Sequence, residues 1–209
     1  MNNDELLTIS KITNNIYLSG IFPLYMNYDL LDKFQIKYII SCVNKSDIEN
    51  IHYNIIQKSP NITILYLPYN DNLQQNLWIP NNNLVKFLKY NISMYDYDIL
   101  IKKINIYKNK PLIEIGYNFM DYVISSNNNI LIHCAAGISR SVSLITYYLM
   151  KKYMLPYDKA IEIIRIKRNI ANPNNSFKLQ LLLYQNKRDK FTQSDADNII
   201  NNILGINNS

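Results

Sequence analysis

The sequence predicts an α/β domain whose central, largely parallel sheet is flanked by helices. Three apolar runs rich in β-branched residues, "KYIISC", "ITILYLP" and "NILIHC", have the length and composition of buried strands. Segments with helical spacing of apolar residues lie between and after these runs, and such an alternation of strands with helices favours a parallel sheet. The sequence shows no internal repeat, and its 209 residues suffice for about one domain.

Each predicted element has its own local signal. "NNIYLSG" near the N-terminus is typical of a short strand that enters a glycine turn, and Pro68 ends the strand "ITILYLP". Pro156 stands at a helix start, where its missing N–H needs no intrahelical partner. The predicted helices are "YDLLDKFQI", "PLIEIGYNFMDYVISS", "RSVSLITYYLMKKY", "PYDKAIEIIRIKRN" and "NSFKLQLLLYQNKR".

Composition limits the possible functions. The 22 Lys and Arg residues exceed the 16 acidic ones, giving a formal net charge of +6, which suits an anionic ligand but is more often a solvated basic surface. Two cysteines cannot build a disulfide framework, and the spacing of the two Cys and two His argues against structural zinc. The sequence shows no apolar stretch of membrane-spanning length and no secretory signal. We therefore expect a cytoplasmic protein in a reducing compartment, without membrane partner, metal ion or cofactor.

The stretch "HCAAGISRS", residues 133–141, carries the predicted chemistry. It follows a buried strand and opens a helix, and ligands of α/β folds bind at such carboxyl ends of strands. A helix N-terminus presents unpaired N–H groups and a partial positive charge, which stabilise an anion. Arg140 adds a planar fork of donors suited to phosphate. The loop residues predicted to bind that phosphate are Ala135, Ala136, Gly137, Ile138 and Ser139.

Cys134 is predicted to be a nucleophile beneath the bound phosphate. A free cysteine has a pKa of ~8.5, so little thiolate exists at neutral pH. The N–H groups that hold a phosphate also stabilise a thiolate, and the predicted loop therefore lowers the thiol pKa. Ser141 can donate a hydrogen bond to the sulfur when it leaves as a thiolate, and His133 is expected to brace the loop through its ring nitrogens.

The pattern of His-Cys, five residues and Arg-Ser resembles the signature loop of the cysteine-based protein tyrosine phosphatases. The chain is similar to their dual-specificity branch, including its small poxviral members. The resemblance extends to "ITNNIYLSG" before the loop and to "YLMKKY", "KAIEIIRIKR" and "NPNNSF" after it, over residues from about 8 to 185. It implies the cysteine-based phosphatase fold and hydrolysis of phosphotyrosine, phosphoserine and phosphothreonine in proteins through a phosphocysteine intermediate, without metal.

The resemblance also implies a general acid, an Asp on a loop that follows an upstream strand. Asp71 in "ITILYLPYND" stands at that position. The family joins this Asp to the signature strand through one loop and one helix, whereas the segment here has room for two helices. We therefore expect residues from about 79 to 110 to be an insertion. It contains two other candidates for the general acid, Asp96 and Asp98. The alternative is that these two residues lie on a solvated helix face.

The predicted organisation is one catalytic domain followed by a C-terminal segment, "TQSDADNIINNILGINNS". Residues 1–190 form the catalytic domain with its insertion. Residues 191–209 form a C-terminal helix or tail outside the core.

Two further groups are candidates for supporting roles. Asn172 and Asn174 in "ANPNNSF" either brace the signature loop or serve the turn around Pro173. Cys42 ends the strand "KYIISC" as Cys134 ends "NILIHC", so adjacent parallel strands would bring the two sulfurs together. Some relatives in the wider family protect the nucleophile from oxidation with such a second cysteine. The alternative is that Cys42 is a small buried hydrophobe.

Two other functions remain open at the level of sequence. One is hydrolysis of RNA 5′-phosphates, which the basic charge would suit. The other is a phosphate-binding module without turnover, which the unusual spacing after Asp71 would explain. The loop lacks the additional basic residues of inositol-lipid phosphatases and the extra His and Asn-Arg-Thr ending of RNA triphosphatase relatives. A phosphorylated protein is therefore the expected partner, nucleic acid is not, and the oligomeric state stays open.

Overall fold

The computed structural model describes residues 3–26, 29–82, 84–90 and 109–187, and they form the predicted α/β fold. Its sheet has the strand order β1-β2-β6-β3-β4-β5. The four inner strands, β2, β6, β3 and β4, are parallel, while β1 and β5 are antiparallel edges. The strands are β1 (Ser10–Lys11), β2 (Ile16–Ser19), β3 (Ile36–Ser41), β4 (Thr63–Tyr66), β5 (Lys86–Lys89) and β6 (Asn129–His133).

Helices connect and cover these strands. A 3₁₀ helix, Asn3–Leu7, precedes the sheet. The α-helices are α1 (Phe22–Met26), α2 (Asp29–Lys33), α3 (Lys45–Lys58), α4 (Leu112–Ser125), α5 (Arg140–Lys152), α6 (Tyr157–Lys167) and α7 (Asn175–Asn186). The five predicted helical segments correspond to α2 and α4 to α7. None of the described helices is both long and apolar enough to cross a membrane.

Helix α3 is not among the predicted helices, although a weak signal for it exists. Its buried residues are Ile48, His52, Ile55 and Ile56. This is the spacing of one helical face, i, i+4, i+7 and i+8. A histidine occupies one position of that face, and most of the other residues of the segment are polar. The apolar residues are therefore too few to predict a helix from the sequence.

The segment from residue 79 to 110 contains a strand where the sequence predicts helix. Residues Lys86–Lys89 form β5, which pairs antiparallel with β4 at the edge of the sheet. The order Lys-Phe-Leu-Lys places a lysine at each end of this short strand, a feature that discourages pairing with another chain. Asp96, Asp98 and residues 191–209 lie outside the described residues. The boundaries of the insertion and of the tail therefore remain predictions.

The centre of the molecule is formed by β6 and α5. Ile130, Leu131 and Ile132 of β6 are fully buried between β2 and β3. Helix α5 packs against α4, α6, α7 and β6, and every residue from Ser141 to Met150 is buried. The loop that joins β6 to α5 is therefore fixed at both ends by the most enclosed elements of the fold.

Candidate active site

The loop between β6 and α5 has its carbonyl groups turned outward. Ala135 O accepts a hydrogen bond from Ile21 N at 2.9 Å, and Ile138 O accepts one from Asn172 N at 2.8 Å. The C=O and N–H of a trans peptide point in opposite directions. The N–H groups of the residues that follow these carbonyls, Ala136 and Ser139, therefore turn toward the inside of the loop.

Arg168, which the sequence does not single out, holds two more loop carbonyls. Its side chain is fully buried. The Nε atom donates to Gly137 O at 2.8 Å, and Nη2 donates to Ala136 O at 3.0 Å. In the sequence Arg168 directly follows Arg165 and Lys167 of the last turn of α6, and such a basic cluster is typical of a solvated helix terminus. Only the tertiary fold distinguishes this arginine from its neighbours.

Gly137 occupies a position that only glycine fits. Its φ of +69° lies in the left-handed region. A Cβ atom there would also lie 2.5 Å from Ser19 O and 2.7 Å from Gly20 N, backbone atoms where β2 ends and its following turn begins. The signature loop and this turn therefore pack backbone against backbone.

Cys134 lies at the bottom of the loop and is 1% exposed. Its Sγ accepts hydrogen bonds from Gly137 N and from Ser141 Oγ, each at 3.2 Å. Burial by itself raises the pKa of the thiol, but the hydrogen bonds from Ser141 and Gly137 and the charge of Arg140 outweigh it. The net result is a thiol pKa below its ordinary value, as a nucleophilic cysteine requires.

Asp71 lies on the loop after β4 and contacts the signature loop. Its Oδ1 accepts from Ser139 Oγ at 2.7 Å and from Asn174 Nδ2 at 2.9 Å. Its Oδ2 is 3.7 Å from Arg140 Nε, and Arg140 Nη1 donates to Tyr69 O at 3.3 Å. The structure thus brings Asp71 and Arg140 together at the rim of the loop.

Asn174 both caps helix α7 and braces the acid. Its Oδ1 accepts from Phe177 N at 2.9 Å, which satisfies a free N–H of the first helical turn. The Nδ2 atom holds Asp71, and the backbone N donates to Ser139 Oγ at 3.1 Å. Asn172 differs, because its side chain accepts from Arg165 Nη2 at 3.3 Å and only its backbone reaches the loop.

His133 is one end of a buried polar chain that joins β6, α3 and β4. Its Nε2 lies 3.1 Å from Nε2 of His52, whose Nδ1 lies 2.7 Å from the Tyr66 hydroxyl. One of the two Nε2 atoms must carry the hydrogen for this contact to be a hydrogen bond. Burial lowers the pKa of His133 to about 4 and, with His133 beside it, that of His52 to about 2. Both rings are therefore neutral at physiological pH.

Cys42 and Cys134 follow neighbouring strands. Ser41 and His133 are register partners in β3 and β6, and Cys42 N donates to His133 O at 2.8 Å. Both cysteines are buried and free. Burial and the nearby Cys134 raise the pKa of the Cys42 thiol, so the two sulfur atoms have opposite tendencies to ionise.

Comparison with known sequences places this site in a family. Residues 16–187 match the family model described as "Dual specificity phosphatase, catalytic domain". A protein of Acanthamoeba polyphaga mimivirus named as a tyrosine-protein phosphatase is 49% identical over 195 residues, which cover 93% of this chain and 92% of that protein. Dual specificity protein phosphatase 1B of Arabidopsis thaliana is 42% identical over 69 residues, 33% of this chain and 41% of that protein.

Solved structures show the same fold. The human tyrosine phosphatase-like serine/threonine/tyrosine-interacting protein superposes with a TM-score of 0.60 at 20% identity, over 85% of this chain and 95% of that one. The PTP-2 phosphatase of Cydia pomonella gives a TM-score of 0.59 at 17% identity, over 90% of this chain and 94% of that one. The chain therefore belongs to the dual specificity phosphatase family, enzymes that hydrolyse phosphate esters of proteins through a phosphocysteine intermediate.

Proposed function

We propose that Cys134 is the nucleophile of this phosphatase and that the surrounding loop binds the phosphoryl group of phosphotyrosine, phosphoserine or phosphothreonine. The observation that carries the proposal is the convergence of Gly137 N–H and the Ser141 hydroxyl on Cys134 Sγ, each at 3.2 Å. Donors aimed at a sulfur stabilise its thiolate, and the same loop amides suit the oxygens of a phosphate.

The first step transfers the phosphoryl group to sulfur. The Cys134 thiolate attacks phosphorus, an S–P bond forms, and the bond from phosphorus to the ester oxygen breaks. Asp71 gives its proton to that departing oxygen, so the product leaves as a neutral hydroxyl group. The position of Asp71 beside Ser139 and Arg140 supports this role.

The second step returns the enzyme to its starting state. Asp71, now a carboxylate, takes a proton from a water molecule, whose oxygen attacks the phosphorus of phosphocysteine. The S–P bond breaks and inorganic phosphate forms. The Ser141 hydroxyl, which already donates to Sγ, stabilises the thiolate that leaves.

Arg140 is proposed to bind the phosphate directly. Its guanidinium can present two N–H groups to two phosphate oxygens, which a lysine ammonium cannot match geometrically. In the free protein Asp71 and the carbonyl of Tyr69 hold this side chain at the rim. A bound phosphate therefore takes the place of Asp71 as the partner of a guanidinium that already lies at the rim.

The substrates of this proposal are phosphorylated proteins, because membership of the family implies them. The two alternatives, RNA 5′-phosphates and binding without turnover, are not favoured by the family match. The described residues include no group of three or more His, Cys, Asp or Glu side chains that could hold a metal ion. The proposed reaction needs a water molecule, the side chains and backbone groups of the loop, and Asp71.

The test combines a substrate panel with one substitution. We expect the wild-type protein to release phosphate from phosphotyrosine and phosphothreonine peptides equally well with and without EDTA, and faster than from triphosphate-ended RNA. Cys134→Ser should lose all measurable turnover but still bind a phosphotyrosine peptide, because the loop donors remain. Cys42→Ala, which removes the other thiol, is the matched control and should keep turnover. Turnover by Cys134→Ser well above buffer would overturn the assignment of the nucleophile.

A further inference from the structure

We propose that Arg168 is a positioning residue that aims the loop amides at Cys134 and its phosphate, and that the N-terminal segment of residues 5–10 holds Arg168 in place. This inference rests on the proposed role of Cys134. It adds a buried residue that touches neither the substrate nor the reacting atoms, and it gives the N-terminal segment a part in the reaction.

The first step concerns the peptide between Ala136 and Gly137. Arg168 Nη2 donates to its carbonyl oxygen at 3.0 Å, and its N–H donates to Cys134 Sγ at 3.2 Å. These are two ends of one rigid plane, since the peptide bond does not rotate freely. Fixing the carbonyl on the outside therefore fixes the N–H that stabilises the thiolate on the inside.

The next peptide is held in the same way. Arg168 Nε donates at 2.8 Å to the carbonyl oxygen of Gly137, whose peptide carries the N–H of Ile138. One planar guanidinium thus orients two successive peptide planes. A lysine ammonium is a single point on a flexible stem and cannot fix both planes in the same relative orientation.

The other side of the guanidinium is held by the N-terminal segment. Arg168 Nη1 donates to Glu5 O at 2.8 Å, to Thr8 O at 3.4 Å and to Ser10 Oγ at 3.3 Å. The Glu5 carboxylate in turn accepts from Asn169 N at 3.4 Å and from Ile170 N at 3.2 Å. The segment therefore binds both the side chain and the backbone that follows Arg168.

The charge of Arg168 also favours the reactive form of the loop. Its hydrogen-bond acceptors in the loop are carbonyl dipoles, which orient toward the guanidinium but do not cancel its charge. Burial lowers the pKa of Arg168, while the negative charges of Glu5 and of the Cys134 thiolate oppose that effect. Thiolate and guanidinium stabilise each other, with the loop peptides between them.

The experiment compares Arg168→Lys, Glu5→Ala and a control, Ile161→Ala, which truncates a buried residue of α6 about two helical turns before Arg168. Three quantities are measured for each: the melting temperature, kcat on p-nitrophenyl phosphate, and the pH midpoint of Cys134 alkylation by iodoacetamide, followed on the Cys134 peptide by mass spectrometry. The alkylation midpoint reports the loop without any turnover. The proposed function is tested separately: turnover by Cys134→Ser would contradict the role of Cys134 as the nucleophile.

We expect Arg168→Lys to lower kcat by about 10–100-fold, below the full effect of removing an oxyanion donor, and to move the alkylation midpoint to higher pH. Glu5→Ala should also lower kcat and raise the alkylation midpoint, each by less than Arg168→Lys does. Ile161→Ala should lower the melting temperature and leave the midpoint in place. A purely structural role predicts that Arg168→Lys behaves like Ile161→Ala, and that result would overturn the proposal. If Arg168→Lys does not fold, an unchanged midpoint and kcat in Glu5→Ala would overturn it instead.

Discussion

At the scale of single residues, the site is organised around a carboxylate with two tasks. Asp71 pairs with Arg140 in the free protein and is the proposed proton donor once a phosphate has engaged that arginine. Ser139 and Asn174 hold the same oxygen, Oδ1, at 2.7 and 2.9 Å. Oδ2, which faces Arg140, is the atom whose partner changes when phosphate binds. We therefore expect Oδ2 to carry the transferred proton.

Replacing the acid should affect substrates according to their leaving groups. Asp71→Asn is expected to lower kcat on a phosphoserine peptide by roughly 10²–10⁴-fold, because a serine alkoxide leaves poorly without a proton. The loss on p-nitrophenyl phosphate should be much smaller, since nitrophenolate is a stable anion. Steady-state kinetics on both substrates measures the difference.

The matched control for this substitution is Asp121→Asn, which breaks an ion pair with Lys152 at the C-terminal end of α5, opposite the end that carries the loop. It should leave both rates unchanged. Equal rates for wild type and Asp71→Asn on the phosphoserine peptide would place the proton donor elsewhere, and Asp96 and Asp98 would then be the next residues to substitute.

At the scale of elements, the adjacency of β3 and β6 decides the possible role of Cys42. Neighbouring strands lie ~4.8 Å apart, and a disulfide needs Cα atoms about 4.4–6.8 Å apart. Cys42 and Cys134 each follow one residue after the register pair Ser41 and His133. Side chains at matched positions of neighbouring strands point to the same face of the sheet, so the register favours a bond between Cys42 and Cys134.

We therefore expect mild peroxide to produce a Cys42–Cys134 disulfide. The Cys134 thiolate is oxidised to a sulfenic acid, and the Cys42 thiol displaces water from it. Peptide mapping after thiol blocking should show the crosslink, and activity should return with dithiothreitol. In Cys42→Ala the same treatment should inactivate irreversibly. Overoxidised Cys134 beside an unmodified Cys42 in the wild-type protein would contradict a protective role.

At the scale of the whole molecule, the buried histidine pair couples stability to pH. In the unfolded chain each histidine titrates near ~6.5, whereas in the folded protein the pKa of His133 is about 4 and that of His52 is about 2. Below pH ~6.5 the unfolded state therefore binds more protons than the folded state. The contribution of the pair is complete above that pH and is lost as the pH falls, down to about 4 for His133 and about 2 for His52.

The expected slope is about 1.4 kcal/mol of unfolding free energy per pH unit for each ring within this window. Urea denaturation of the wild type and of His52→Gln at several pH values between 7.5 and 5 measures it. Gln can still bond to His133 and Tyr66 but does not titrate, so the slope should decrease by about one ring's share. Contributions from surface carboxylates are common to both proteins and cancel. Identical slopes would mean that His52 does not enter the acid sensitivity.

Much of this molecule could be predicted from local sequence patterns, and the exceptions have physical causes. The strands around the signature loop have continuous apolar runs, and the loop itself is contiguous in sequence, so both were predictable. The polar chain from Tyr66 through His52 to His133 joins three elements, and no pattern within one element reveals it. Arg168 was missed for the same reason, because its partners lie more than thirty and more than a hundred and fifty positions away along the chain.

The order of the strands also constrains how the protein is made. The central strand β6 is the last of the described strands in sequence, and it separates β2 from β3 in the finished sheet. While a ribosome is still synthesising the first 128 residues, β2 with β1 and β3 with β4 and β5 have no strand to join them. The arrival of β6 inserts the missing strand, and the next residues to emerge are Cys134 and its loop. The sheet can be completed only when Cys134 and its loop are also being synthesised. A nascent chain therefore has no complete active site before β6 can join the two halves of the sheet.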